Sequence, residues 1–358
     1  MSSGEVAAAA GVGPPPGMKV RLSSNESPFG PSPVVVEAVR ELVPEAHLYP
    51  DDQARALRAA LAAAHGVDAT RIATGYGSAA LLMDIIAHAI RRAPGAVLTY
   101  ERAFIVYRLG AQTAGARYDE APLGTDYSRD ADALLAAVRP DTRVVLIDNP
   151  GNPTGQHLDG DALHHVVSSL PDDVVVVGDE AYHHYAGGQR GYRTVEELGL
   201  EHPQLLVVRT FSKAHALAGL RVGYELGPPD LIAALDRDRP RFNLGALAQT
   251  AALASLRDLA HIETTVQGTL AGREQMRRGL DELGVRCIDG LGNFLLVELG
   301  EPAEPVVDAY AAHGVGVRPL QPYGMHEQLR ITVGTPDEVE AFLAATRAVL
   351  VDRPGRGV

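Results

Sequence analysis

The chain has 358 residues, of which 46% are hydrophobic and 22% charged, and its formal net charge at pH 7 is -13. This length predicts a large and a small domain rather than a single core, and the acidic balance argues against nucleic acid and anionic membranes as partners. A single cysteine, Cys287, excludes an internal disulfide framework and a zinc site built from thiolates alone.

The chain begins with a segment that offers little to bury. Residues 1–17 end in Pro14-Pro15-Pro16-Gly17, and their composition is typical of disorder. We predict a flexible tail over residues 1–20, and then an arm over residues 21–44 that joins the smaller domain. Because we find no secretory signal and no long apolar run, we expect a cytoplasmic protein.

The middle of the chain alternates short β-branched runs with helical patterns, which is typical of a parallel sheet covered by helices. Several of the runs are continuously apolar, as expected for strands buried on both faces. The predicted strands are residues 71–74, 96–100, 143–147, 174–177, 205–208 and 222–226. Helical patterns between them include residues 79–91, 131–138 and 161–170. We assign residues 45–244 to the large domain.

Beyond residue 243 the pattern changes to long helices and a few short strands. Predicted helices cover residues 246–259 and 264–283, predicted strands cover 293–298, 316–318 and 329–333, and a last amphipathic helix covers 336–350. We assign residues 245–358 to a small α+β domain. The predicted fold class is therefore α/β, with a mostly parallel sheet flanked by helices and a small C-terminal α+β domain.

Polar residues follow three of the predicted strands directly. Strand 143–147 leads into the run from Asp148 to Gly155, strand 174–177 into the run from Gly178 to Tyr182, and strand 205–208 into the run from Arg209 to Lys213. In an open α/β sheet, ligands bind outside the carboxyl ends of the strands. We therefore expect these polar residues to line a site.

These residue types match the needs of pyridoxal phosphate (PLP). The cofactor needs an amine for a covalent bond to its aldehyde carbon, a carboxylate that keeps its ring nitrogen protonated, and donors to its phenolate oxygen. Lys213 supplies the amine, Asp179 the carboxylate, and Asn152 and Tyr182 the donors. We assign catalytic roles to Lys213, Asp179 and Tyr182.

The phosphate of the cofactor also needs donors. Ser212 and Arg221 are candidates, as are the backbone N–H groups of Gly77, Ser78 and Ala79, which open a predicted helix. The dipole at a helix N-terminus favours an anion. Taken singly, Lys213 could be a surface lysine and Asp179 a helix N-cap, but their spacing with Ser212 and Arg221 favours the cofactor site.

Five motifs together make the chain resemble fold-type-I PLP-dependent aminotransferases, and most closely the histidinol-phosphate and aromatic-amino-acid (phenylalanine) aminotransferases. The resemblance covers the chain from about residue 21 to the last helix. It implies a large domain with a mostly parallel seven-stranded sheet, PLP as the cofactor, and amino transfer to a 2-oxo acid. The motifs are Asn25–Pro31, Tyr49-Pro50-Asp51, Asn152-Pro153-Thr154-Gly155, Asp179-Glu180-Ala181-Tyr182 and Arg209–Arg221.

The resemblance also implies roles for residues outside the strand ends. Phe104 is expected to stack on the cofactor ring, and Tyr49 to reach the phosphate of a partner subunit in a homodimer with shared active sites. Arg330 is expected to grip the substrate carboxylate, for which a planar guanidinium is well suited. Asn25 and His215 complete the predicted substrate contacts.

The sequence departs from the family pattern near the predicted pocket. Gly151 stands where an asparagine is common, and His215-Ala216 replaces an aromatic-glycine pair after the lysine. These departures leave open a PLP-dependent decarboxylase, oxidase or cyclase. A non-catalytic relative that only binds a ligand is disfavoured, because Lys213, Asp179 and Arg221 are all retained.

Other cofactors find little support in the sequence. The chain has thirteen histidines, but those in the pairs His164-His165 and His183-His184 are adjacent, so we expect their side chains to diverge and predict no metal site. Gly75 and Gly77 lack the third glycine of a dinucleotide fingerprint, and no phosphate-loop motif occurs.

Overall fold

The computed structural model describes residues 17–351, with the side chain of residue 351 excluded. Residues 1–16 of the predicted tail and residues 352–358 of the predicted small domain lie outside the described residues. Within the described part of the chain, no helix combines the length and apolar character needed to cross a membrane.

The first two thirds of the chain alternate strands and helices. Its helices are α1 (Pro33–Leu42), α2 (Arg55–His65), α3 (Gly77–Arg92), α4 (Ile105–Ala114), α5 (Ala131–Ala136), α6 (Gly160–Ser169), α7 (His183–Ala186), α8 (Pro229–Asp238) and α9 (Ala246–Ser255). Its strands are β1 (Val20–Arg21), β2 (Ile72–Tyr76), β3 (Ala96–Tyr100), β4 (Arg117–Ala121), β5 (Thr142–Asp148), β6 (Val175–Asp179), β7 (Leu205–Thr210) and β8 (Val222–Leu226).

The last third holds three further α-helices among the described residues and a second sheet. The helices are α10 (Leu259–Glu282), α11 (Ala303–Ala312) and α12 (Pro336–Val351). The strands are β9 (Cys287–Ile288), β10 (Phe294–Glu298), β11 (Val315–Gly316), β12 (Arg318–Leu320) and β13 (Met325–Thr332).

Seven strands form the large sheet in the order β2-β8-β7-β6-β5-β3-β4. All neighbours are parallel except β8, which runs antiparallel to both β2 and β7. The prediction of a mostly parallel sheet is confirmed. The pattern was informative because β5, β6 and β7 are largely apolar runs buried on both faces, as is typical of parallel strands. Their carboxyl ends therefore lie side by side.

The edge strand β4 was missed by the sequence analysis. Four of its five residues are charged or polar (RYDEA), and the first four are exposed or only partly buried. An edge strand has one free side and can carry such residues, so β4 shows no apolar run that would mark it.

The smaller sheet is antiparallel, in the order β12-β13-β10-β9. Its core face packs with α10, α11 and α12 through Leu295, Ile331 and Phe342. The single strand predicted over residues 316–318 was wrong. Val315 and Gly316 instead pair with β1, whereas β12 begins at Arg318 and pairs with β13, so two short strands of different sheets meet there.

The helices α1 and α9 pack beside the large sheet. Val35 of α1 and Ala252 of α9 share a buried cluster with Leu61 of α2. The cluster also includes Phe211, which directly follows β7, and Tyr224 of β8. The arm reaches the smaller unit through β1, which pairs with β11. The predicted domain limits, 21–44, 45–244 and 245–358, stay a prediction.

Candidate active site

A pocket of about 710 Å³ opens at the carboxyl ends of β5, β6 and β7. Residues from the N-terminal arm, the large sheet and the smaller sheet all line it. Eleven of the fourteen predicted site residues are among them: Asn25, Ser78, Ala79, Phe104, Asn152, Asp179, Tyr182, Ser212, Lys213, Arg221 and Arg330. Segments that are far apart in the sequence therefore meet at one site.

Asp179 is the last residue of β6 and is 3% exposed. Its Oδ2 accepts a hydrogen bond from the Tyr107 hydroxyl at 2.8 Å, and its Oδ1 accepts one from the Ala181 N–H at 3.2 Å. Burial, and to a lesser degree the nearby charge of Asp148, raise the pKa of Asp179 to about 7, while the bond from Tyr107 opposes this rise. A cation beside Asp179 would restore its ordinary acidity.

Lys213 faces the same pocket. Its Nζ donates to the backbone oxygen of Asn25 at 2.9 Å and lies 5.6 Å from the centre of the Tyr182 ring. Burial, followed by the positive charge of Arg330, lowers the pKa of Lys213 to about 7. An amine with such a pKa is partly neutral near pH 7, which makes it a competent nucleophile and base.

Asn25 links three parts of the pocket and is 1% exposed. Its backbone has a φ of 52°, a left-handed conformation that asparagine tolerates better than most residues. Its N–H donates to Thr332 Oγ1 at 2.9 Å, and its Nδ2 donates to the Tyr182 hydroxyl at 3.0 Å. The backbone oxygen of Asn25 accepts a hydrogen bond from Asn293 Nδ2 at 3.2 Å. Asn25 therefore orients both the lysine and Tyr182.

One end of the pocket is a cradle of backbone at the start of α3. Gly77 has a φ of +77°, and a Cβ built there would lie 2.5 Å from Arg221 Nη2. A Cβ on Gly223 would lie 2.5 Å from the Ser78 nitrogen. Both glycines therefore keep the helix N-terminus and the guanidinium within reach of one anion.

Hydroxyl groups complete this end. Thr210 Oγ1 donates to Ser212 Oγ at 2.9 Å, and Arg221 Nη1 donates to the Ala218 backbone oxygen at 3.0 Å. Thr210 lines the pocket but was absent from the sequence prediction, although its place three residues before Lys213 could have identified it.

Arg330 occupies the side of the pocket formed by the smaller sheet. Its Nη1 donates to Asn152 Oδ1 at 2.5 Å and its Nη2 donates to the Ser23 backbone oxygen at 3.0 Å. Its Nε is buried and has no hydrogen-bond partner among the described residues. Arg318, which the sequence analysis missed, also lines the pocket, so two guanidinium groups are available there to an anionic substrate.

Three predicted site residues do not line this pocket. Gly77 is the first residue of α3 and directly precedes Ser78. Tyr49 is 84% exposed and stacks on Phe242, with the ring centres 4.7 Å apart. His215 is buried behind the lysine, where its Nδ1 lies 2.8 Å from Ser255 Oγ.

The adjacent histidines His183 and His184 do not diverge as predicted, and that expectation was wrong. Their ring centres lie 3.9 Å apart, because His183 Nδ1 is held 2.7 Å from the Glu180 backbone oxygen, which turns the ring back along the one-turn helix α7. Burial lowers the pKa of His184 to about 4, so its imidazole is neutral at pH 7. No group of three or more metal-binding side chains is found among residues 17–351.

The residues present fit pyridoxal phosphate on structural grounds. The start of α3 and the Arg221 guanidinium, which approaches Gly77 so closely that a Cβ there would displace it, offer donors for a phosphate. Asp179 forms no ion pair within the described chain, and a protonated ring nitrogen would supply its missing cation. Lys213 presents a partly neutral amine to the same cavity.

Comparison with known proteins gives the same result. Residues 17–345 match the family described as aminotransferase class I and II. Histidinol-phosphate aminotransferase 2 of Methylococcus capsulatus is 44% identical over 337 residues, which cover 93% of this chain and 90% of that protein. Histidinol-phosphate aminotransferase 2 of Pseudomonas fluorescens is 41% identical over 336 residues, which cover 94% and 90%.

A solved structure is similar over nearly the whole chain. The histidinol-phosphate aminotransferase from Sinorhizobium meliloti, in complex with pyridoxal-5'-phosphate, superposes with a TM-score of 0.86 at 28% identity, covering 98% of this chain and 95% of that one. The predicted fold type and cofactor are thereby confirmed. The chain belongs to the aminotransferase class I and II family and is a PLP-dependent aminotransferase.

Proposed function

We propose that the amino donor is histidinol phosphate or a close analogue, and that the acceptor is a 2-oxo acid. The proposal is supported by the names of the relatives that are 40–44% identical over more than nine tenths of the chain. The feature of the pocket that favours it is the pair Arg318 and Arg330, because guanidinium groups bind phosphate oxygens in bidentate fashion.

The side chains of the pocket divide the work of amino transfer. When bound, PLP supplies an electron sink for the carbon that carries the amino group. The Lys213 Nζ would act as the base that takes the proton from this carbon, and then as the acid that delivers the proton to the former aldehyde carbon of PLP. Asp179 keeps the ring nitrogen protonated, and Asn152 and Tyr182 donate to the phenolate oxygen. Phe104 packs on the ring.

The backbone of Gly77, Ser78 and Ala79, with Ser212 and Arg221, holds the cofactor phosphate in this proposal. Arg330 holds the anionic group of the substrate, and Asn25 orients Lys213 and Tyr182 toward it. His215 lies one layer behind the lysine and acts on the substrate only through its neighbours.

Substrate preference tests the proposal directly. We expect kcat/KM for histidinol phosphate to exceed that for histidinol and for phenylalanine by about 100-fold or more, since the phosphate contacts contribute several charge-assisted hydrogen bonds. Glutamate should regenerate the amino form of the cofactor in the reverse half-reaction. A higher kcat/KM for phenylalanine would favour an aromatic-amino-acid aminotransferase instead.

We further propose that the enzyme is a cytoplasmic homodimer in which Tyr49 reaches the partner's cofactor phosphate. Supporting this, Tyr49 is 84% exposed, and Leu48 and Tyr76 are each 57% exposed, so these large side chains are accessible to a partner subunit. Light scattering should give twice the chain mass. Tyr49→Phe should weaken cofactor binding without changing that mass.

A further inference from the structure

A buried ion pair stands directly beside the cofactor pocket. Arg129, in the loop before α5, donates from Nη2 to Asp148 Oδ1 at 2.5 Å, and the two side chains are 1% and 4% exposed. Arg129 Nη1 also donates to the backbone oxygen of Asp148. Asp148 ends β5 and lines the pocket.

The second oxygen of Asp148 ties together two separate segments. Its Oδ2 accepts from the Phe104 N–H at 3.3 Å and from the Asn152 N–H at 3.0 Å. Phe104 is the N-cap residue directly before α4, whereas Asn152 lies in the loop after β5. These are the two residues proposed to contact the ring and the phenolate oxygen of the cofactor. One carboxylate therefore holds the backbones of both.

Gly151 is part of the same unit. A Cβ at this position would lie 2.0 Å from Arg129 Nη2 and 2.7 Å from its Cζ. The position is buried, and its φ is not in the left-handed region, so the glycine is required by space and not by backbone conformation. The guanidinium fills the volume that a side chain at position 151 would take.

The pair also has an electrostatic consequence for the site. Asp148 is among the charges that raise the pKa of Asp179, so an uncompensated Asp148 would disfavour a charged Asp179 further. Arg129 neutralises Asp148 where it lies. Since replacing a buried ion pair by apolar residues is often neutral for stability, stability alone does not account for this pair.

We propose that Arg129, Asp148 and Gly151 form a positioning unit that sets Phe104 and Asn152 against the cofactor ring. The inference rests on the roles proposed above for Phe104 and Asn152. None of the three residues touches the reacting atoms, and each acts through the segment that it holds.

The first test uses the double variant Arg129→Leu/Asp148→Ala, which removes both buried charges at once. We expect it to fold with a Tm close to that of the parent, and to bind PLP about tenfold more weakly in a titration of the apoenzyme. A matched control is Arg58→Leu/Asp236→Ala, which removes a part-buried ion pair with a separation of 2.5 Å. Both of its residues lie outside the cofactor pocket. This control should leave PLP affinity within twofold.

The absorbance of the bound cofactor gives a readout that a merely structural role would not move. A less firmly held Asn152 donates less well to the phenolate oxygen of the cofactor. The nitrogen that joins Lys213 to PLP then becomes more basic. The pH midpoint at which the absorbance of bound PLP changes should therefore rise by about 0.5–1 unit. Asp148→Asn retains one acceptor oxygen for the backbone N–H groups and should rescue most of this shift. An unchanged midpoint and affinity in the double variant would overturn the proposal.

Gly151→Ala tests the coupling within the unit. In the parent it should weaken PLP binding about tenfold because the Cβ displaces Arg129, but in the Arg129→Leu/Asp148→Ala background it should add little. Equal effects in both backgrounds would contradict a shared unit. Asn152→Ala and Phe104→Ala test the proposed cofactor contacts separately from the positioning unit. If neither variant alters PLP affinity or the pH midpoint, the proposed contacts fail and the positioning unit fails with them. If these two variants alter them but the variants of the unit do not, only the positioning unit fails.

Discussion

Two buried carboxyl groups lie in the same large sheet, and they differ in their surroundings. Asp179 at the end of β6 is 3% exposed and Glu225 in β8 is 2% exposed. Burial raises the pKa of Asp179 to about 7 and that of Glu225 to about 8. Asp179 accepts hydrogen bonds from Tyr107 and Ala181, whereas Glu225 Oε2 has no partner among the described residues.

The difference shows that a raised pKa does not by itself mark an active site. Asp179 faces a cavity that also holds an amine with a lowered pKa, three arginines and a glycine cradle. The acidic neighbours of Glu225 are Asp84 and Asp236, and Arg58 only partly offsets them. A ligand with a cationic group can compensate Asp179, while Glu225 stays protonated instead.

The strongest test of this contrast is Asp179→Asn. We expect kcat to fall about 10³-fold, because asparagine cannot keep the ring nitrogen protonated and PLP then becomes a weaker electron sink. Steady-state turnover and the visible spectrum of the holoenzyme measure the effect. The matched variant Glu225→Gln should leave kcat within twofold. Similar losses in both variants would mean that the two carboxyl groups do not differ in function.

The phosphate end of the pocket is tested by Gly77→Ala. The added Cβ meets the Arg221 guanidinium, and the alanine must adopt the φ of +77° found at this position. PLP affinity should therefore fall by about 100-fold. Gly245 is a suitable control because a Cβ there has open space. Titration of both apoenzymes with PLP should separate them, and equal affinities would remove the cradle from the proposal.

The sequence predicts the site residues that come soon after a strand, but not those that reach the site from other segments. Asp179 and Lys213 follow predicted strands within a few residues, and their spacing with Ser212 and Arg221 marked them as cofactor residues. Tyr107 and Asn293 act on the site from other segments, and their side chains carry no local signal of a partner far away in the chain. The pair Arg129 and Asp148 was missed for the same reason, since 19 positions separate its members.

The substrate side of the pocket is tested by Arg330→Lys. An ammonium group cannot reproduce the two donors that reach Asn152 and Ser23 or grip an anion in bidentate fashion. We expect KM for the amino donor to rise by about 10–100-fold while PLP affinity changes less than threefold. If PLP affinity falls as far as substrate affinity, Arg330 serves the cofactor and not the substrate.

Glu225→Gln gives the smallest effect and concerns stability. The folded protein holds a proton on Glu225 up to a pKa of about 8, against an ordinary value of 4.5, so between these values the folded state binds more protons than the unfolded state. The free energy of unfolding therefore falls as pH rises through this window, and the full penalty is reached above pH 8.

Because glutamine has no proton to lose, Glu225→Gln should unfold with a free energy about 1–3 kcal/mol higher at pH 8 and nearly unchanged at pH 4.5. Urea denaturation at both pH values measures this difference, with substitution of the exposed Glu340 by glutamine as the control. An equal gain at the two pH values would exclude the Glu225 carboxyl as the titrating group. A gain confined to high pH, with turnover unchanged, would make Glu225 a buried acid that opposes folding and takes no part in catalysis, in contrast to Asp179.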